Sequence, residues 1–151
     1  MPLNDRIARV DKLKSWADQL PLHYEYTAGV AGERFLRGLK EGKILAARCK
    51  KCGTKYLPPK TYCVECYVAI DEFVEVGPKG KASAIARSSV GFEGDRLRAP
   101  RAFAFVTFRG VNGGLVHLAG KGVDAGSKVT PRFKPKGKRV GALTDIEEFV
   151  A

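Results

Sequence analysis

Histidine is scarce in this sequence, with only His23 and His117 in 151 residues. Tryptophan and methionine occur once each, and the four cysteines all fall between positions 49 and 66. These shortages narrow the available chemistry. The two histidines form no H-E-x-x-H, no G-x-S-x-G occurs, and the glycine-rich stretch 109–115 has neither Walker nor Rossmann spacing. His117 sits inside an apolar strand pattern, Leu115–Gly120, where a structural role is expected. Glu33, Glu41, Asp145, Glu147 and Glu148 offer carboxylates, but nothing pairs them as an acid and a base. The sequence therefore argues against an autonomous enzyme.

Long apolar runs are missing as well. The longest lies near Ala102–Phe108, well short of the ~18 residues a membrane span requires. The first 20 residues mix charges throughout and contain no continuous apolar core, so a cleaved secretion signal is not expected and a cytoplasmic location is. Acidic residues are few relative to basic ones, 16 against 27, giving a net charge of +11. The excess is spread along the chain, +6 over residues 1–70 and +5 over 71–151. Such a surface suits polyanions: nucleic acid, an acidic protein or a phosphate-rich cofactor.

What is abundant is glycine, at 17 residues, which together with 8 prolines favours tight turns and short strands over a helical bundle. Leu3, Ile7, Val10, Leu13, Trp16 and Leu20 recur at spacings of three and four, predicting an amphipathic helix that Pro21 stops. A second helix is predicted over 32–41, with Phe35, Leu36 and Leu39 on one side and Gly42 as its C-terminal glycine. The pattern then turns extended at 43–48. Further strands are expected at 73–76, 81–90, 102–109, 115–120, 128–133 and 146–150, punctuated by GPKG, GFEG, NGG and KPKG. Hairpins in this number suit a small barrel of the OB or SH3-like kind.

Cys49, Cys52, Cys63 and Cys66 form C-x2-C-x10-C-x2-C. Each C-x-x-C lets a tight turn aim two thiolates at one point, and two such knuckles make a four-sulfur cage suited to zinc, or to iron in a rubredoxin-like site. Two disulfides or a redox dithiol are the alternatives, the former disfavoured in a reducing compartment and the latter by the lack of a βαβ context. Gly53 eases the first knuckle, whereas Tyr67 occupies the same place in the second. Two basic stretches are expected in the loops flanking the ligand face of an OB barrel: Arg96, Arg98 and Arg101 after the first barrel strand, and Lys134, Lys136, Lys138 and Arg139 between the fourth and fifth.

The order of parts, with LKEGKI at 39–44, CKKCG, LPPK, CVEC and then a glycine-punctuated barrel, resembles one family. It is the rubredoxin-like zinc ribbon plus OB-fold family, long catalogued as a domain of unknown function, whose members accompany thiolases, HMG-CoA synthases and thiolase-like aldolases. The resemblance implies a mainly β fold with N-terminal helices: a helical segment over 1–42, a zinc ribbon over 43–70 and a five-stranded OB barrel over 71–151. It implies a metal on Cys49, Cys52, Cys63 and Cys66, and a non-catalytic subunit that scaffolds an acyl-CoA enzyme and helps bind coenzyme A or acyl-CoA. Lys60 stands where the family commonly has arginine, so a bidentate phosphate contact there becomes a point charge. The assignment of the seven basic residues to CoA comes from their expected position. The rival reading is a nucleic-acid-binding module, since ribbons and OB-folds both serve that purpose.

Overall fold

A computed structural model of the protein describes residues 24–91 and 94–151. The helix expected over residues 3–20 lies outside them. Among the described residues there is one α-helix and no helix long and apolar enough to cross a membrane.

Helix α1, Gly29–Glu41, begins three residues earlier than the apolar pattern suggested, its first N–H received by the Thr27 hydroxyl at 2.9 Å. It buries Ala31, Phe35 and Leu39 and stops at Gly42, whose left-handed φ of +83° turns its N–H back to the carbonyls of Gly38 and Leu39. Gly38 has a different purpose. A Cβ there would stand 2.7 Å from the Leu45 side chain, so only glycine lets the helix lie this close to the next strand.

Three short strands follow: β1 (Leu45–Arg48), β2 (Lys55–Leu57) and β3 (Glu72–Glu75). β1 lies between β2 and β3, antiparallel to both. β2 was not foreseen. Three residues are too few to show a period, and the strand exists because it pairs β1 on one side and runs parallel to a later strand, Asn112–Ala119, on the other.

The barrel comprises β4 (Gly80–Val90), β5 (Arg96–Phe108), β6 (Asn112–Ala119), β7 (Lys128–Phe133) and β8 (Ile146–Val150). β4 pairs β5, β5 pairs β6, β7 pairs both β4 and β8, and a parallel contact between Ala119 and Phe149 closes β6 on β8. The closed order β4-β5-β6-β8-β7 is the Greek key of an OB-fold. One core, holding Val106, Val129, Ile146 and Phe149, fills the barrel and continues under Phe35, Leu39 and Ile44. A separate small core of Ala47, Cys49, Tyr56, Cys63 and Ile70 belongs to the ribbon.

One expectation needs correction. Arg96, Arg98 and Arg101 do not lie in a loop: β5 starts at Arg96, six residues before its apolar alternation begins, so all three are strand residues. Pairing with β4 supplies the order that the side-chain pattern does not advertise.

Candidate metal centre

The four cysteines sit at the tips of two hairpins. In the first, β1 and β2 pair Arg48 with Lys55; in the second, Tyr62 bridges Ala69. The backbone bonds beyond these pairs match residue for residue. Cys49 N–H donates to Thr54 O and Gly53 N–H to Cys49 O, while Cys63 N–H donates to Val68 O and Tyr67 N–H to Cys63 O, all at 2.8–2.9 Å. Each turn points two sulfurs the same way. The four Sγ atoms all lie within 4.8 Å of one another, and Cys52 and Cys63 are 3.6 Å apart.

Four thiolates at about 2.3 Å from one zinc ion stand about 3.8 Å from each other, so the spread matches a tetrahedral site. The electrostatics agree. The Tyr56 hydroxyl, 3.3 Å from Cys63 Sγ, donates to that sulfur and is the main reason its pKa falls to about 6. Cys52 is lowered chiefly by its hydrogen bond with Thr54, at 3.2 Å. Cys66 goes the other way, up to about 12, through its hydrogen bond with Cys52, its burial and the thiolates nearby. Without a cation this cluster does not ionise fully, Cys66 holding its proton most firmly; a divalent ion displaces the protons that remain and lets all four sulfurs ionise. Bound zinc would supply a cross-link here and no open coordination position, since the four protein ligands complete the shell.

Tyr56 is the residue that sequence reasoning missed. It is buried at the centre of the ribbon core, its hydroxyl on Cys63 and its ring under Lys60, whose Nζ stands 5.1 Å from the centroid. Lys60 thereby has a packing role. Nothing in the spacing of KYL distinguishes this tyrosine from a surface one.

The basic residues divide. A cavity of about 590 Å³ opens at the barrel end between β5 and the turn after β6, and of the seven expected cations it takes in only Arg101. Arg87, Lys121, Gly120 and Gly122 share that lining. Arg96 and Arg98 sit farther along the β4–β5 hairpin. Lys134 directly follows β7, and Lys136 and Lys138 occupy a 3-10 turn beyond it. Arg139 is engaged in packing. Its Nε donates to Lys134 O at 2.6 Å, its guanidinium lies 5.2 Å from the Phe133 ring centre, and it rests against Gly42 at the end of α1.

Nor do the carboxylates form an acid–base pair. Asp145 is fully buried and accepts N–H groups from Val140, Gly141 and Ala142; burial alone would raise its pKa, and these bonds pull it below the ordinary carboxylate value. Glu33 pairs with Arg37, and Glu147 and Glu148 pair with Arg132. His117 gives its Nε2–H to Leu143 O at 3.1 Å and packs edge-on against Phe149.

Residues 37–72 match the ChsH2 rubredoxin-like zinc ribbon domain. Among curated proteins no sequence matches the chain. Solved structures resemble it, two of them as follows. One is the Ltp2–ChsH2(DUF35) aldolase, 18% identical, covering 71% of this chain and 86% of that one with a TM-score of 0.56, a likeness of fold. The other is a protein of unknown function from the DUF35 family of Sulfolobus solfataricus, 34% identical over 68% of this chain and 76% of that one, with a TM-score of 0.61. With that identity over that length, and a ribbon whose four sulfurs converge on one point, the chain belongs to the DUF35 family.

Proposed function

We propose that this protein is a non-catalytic accessory subunit of a thiolase-superfamily acyl-CoA enzyme, which it scaffolds and whose coenzyme A it helps to hold. The observation that carries the reading is the convergence of every thiol on one closed four-sulfur site. Claisen-type chemistry on acyl-CoA needs a nucleophilic cysteine and a base, and this chain has no thiol outside that site. The reacting groups then belong to the partner. That a DUF35 chain stands in a structure described as an aldolase, and shares this fold, supports the kind of partner.

On this reading the barrel-end cavity receives the nucleotide end of coenzyme A. Arg101 and Lys121 supply cations there, and the exposed Gly122 lets a phosphate approach the backbone of the turn, whereas Gly120 N–H is already given to Phe149 O at 2.7 Å. Arg87 is held by Asp124 at 2.7 Å and Glu148 by Arg132, so Arg101 and Lys121 are the cations left for a ligand in that lining.

The test is to purify the chain with its metal, assay thiolase, synthase and aldolase turnover, and then add an acyl-CoA enzyme co-purified from the native host. The chain alone should be inactive, and it should raise the partner's activity, solubility or affinity for coenzyme A. Arg101→Glu with Lys121→Glu should weaken coenzyme A binding in the complex at least tenfold, and more than binding of the dephospho form. Turnover by the isolated chain would refute the reading.

A further inference from the structure

On the outer face of the barrel, alternation puts Phe103 and Phe105 of β5 on one side, level with Ala86 and Ala84 of β4 and with Leu118 and Val116 of β6. Phe108 points the other way, into the core. Phe103 and Phe105 keep more than a third of their surface in water, and Val116 keeps 69%. Six apolar residues on three adjacent strands therefore form one continuous exposed patch with no charged member. A patch of this kind marks an interaction site more often than scattered single residues do.

Its surroundings are basic. Between residues 79 and 121 there are eight lysines and arginines against two acidic residues, and none of the eight lies within the patch. The hairpin that carries Arg96 and Arg98 extends beyond the barrel. β6 pairs β5 no farther than Ala102, and β7 with the segment before it follows β4 only to Ala82, so past these points each outer edge lacks a strand partner among the described residues. A two-stranded ribbon of this sort is marginal in water and presents unpaired N–H and C=O groups.

We infer that this face, the apolar patch on β4, β5 and β6 with the arginine hairpin as its rim, docks a protein partner whose own surface is apolar and edged by carboxylates. An apolar centre with a charged rim is the anatomy of a protein interface. Nucleic acid fits less well: the patch is as much aliphatic as aromatic, it holds no cation to meet a backbone phosphate, and the two rings share one strand rather than forming a ladder across several. The inference rests on the reading of this chain as a partner-binding subunit, and it names the surface that reading requires.

The experiment uses the full metal-loaded chain and the acyl-CoA enzyme co-purified from the native host, with association measured by surface plasmon resonance. Phe103→Ser with Phe105→Ser should weaken binding at least tenfold through faster dissociation. Arg96→Glu with Arg98→Glu should slow association and flatten its dependence on salt. Circular dichroism and metal content establish that each variant is folded, and Val116→Ser, at the most exposed position of the patch, gives a milder third test. Undiminished binding by all three folded variants overturns the docking face and leaves the functional reading in place. Failure of the unaltered chain to retain any such enzyme overturns both. Single-stranded oligonucleotide bound tightly and lost in the Phe103/Phe105 variant, or self-association lost in it, overturns the inference in favour of nucleic acid or of a second copy of this chain.

Discussion

At the first knuckle the residue after the second cysteine is Gly53, with φ +76°; at the second it is Tyr67, with φ +55°. Both sit in the left-handed region, which glycine enters freely and which costs other residues about 1–2 kcal/mol. Both knuckles nevertheless close with the same pair of backbone hydrogen bonds. The turn is therefore imposed by those bonds and by the four sulfurs, and residue type sets only how much strain it carries. The side chains around the sulfurs differ in the same uneven way. Five residues after the first cysteine of each knuckle stand Thr54 and Val68, so Cys52 has a hydroxyl beside it and Cys66 has none from that position.

The largest effect should come from removing sulfur from either side. Cys49→Ser with Cys52→Ser, and Cys63→Ser with Cys66→Ser, should each abolish tight metal binding, because two ligands cannot hold what four do. The ribbon's small core is organised around Cys49 and Cys63, so it should unfold in both variants, while the barrel with its own core stays folded. Metal analysis and near-ultraviolet circular dichroism would check this. If one knuckle alone retained stoichiometric metal, the two would not be equivalent halves of one site.

Next in size is the proton balance. In the metal-free fold Cys63 is lowered to about 6, so what its ionisation adds to stability is complete above the ordinary thiol value near 9 and is lost as pH falls through 6. Cys66, raised to about 12, behaves oppositely: its contribution is complete below 9 and is lost as pH rises through 12. At pH 7 zinc binding should therefore release fewer than four protons, since Cys63 has already ionised and Cys66 has not. Calorimetry in buffers of different ionisation enthalpy counts them. Release of all four would show that the thiols of the two knuckles are not differentiated before the metal arrives.

The same contrast explains what the sequence reveals. The convergence of the four cysteines was readable because C-x2-C-x10-C-x2-C has few other physical uses, and β7 and β8 fell at the predicted residues, β7 between Gly126 and Pro135 and β8 directly after Asp145. The spacing of 103, 105 and 108 puts two phenylalanines on one face of β5 and the third on the other, and only the fold shows that the third faces the core. Features set by pairing partners were hidden. β2 is held by β1 and β6, the start of β5 by β4, and Tyr56 acquires its role only when Cys63 folds back over it. Cations were easy to find and hard to place: Arg139 reads as a ligand-loop residue, and its packing on Phe133 and the end of α1 leaves no mark in the sequence.

A smaller effect is expected at Gly53. A Cβ there meets nothing within 4 Å, so Gly53→Ala adds no clash, and the left-handed backbone is the whole of the cost. Urea denaturation of the zinc-loaded protein should show a loss of about 1 kcal/mol. A much larger loss would mean that the first knuckle needs glycine for a close approach. That would set it apart from the second, where tyrosine is accepted.

The smallest effect, and the sharpest comparison, lies at Tyr67. Its side chain is 87% exposed, so truncation removes little packing, while glycine relieves about 1–2 kcal/mol of left-handed strain. Part of that relief is offset by the greater freedom glycine gives the unfolded chain, about 0.5–1 kcal/mol. Tyr67→Gly should then leave the zinc-loaded protein more stable by roughly 0.5–1 kcal/mol, measured by the same denaturation. Tyr67→Ala keeps the strained φ and loses only the exposed ring, so it should change stability by less than about 0.5 kcal/mol. The two substitutions separate backbone from side chain. If glycine destabilises while alanine is neutral, the second knuckle is not strained and the equivalence of the two turns fails. If both destabilise, the tyrosine ring has a contact of its own, and the second knuckle is held by more than its hydrogen bonds and its metal.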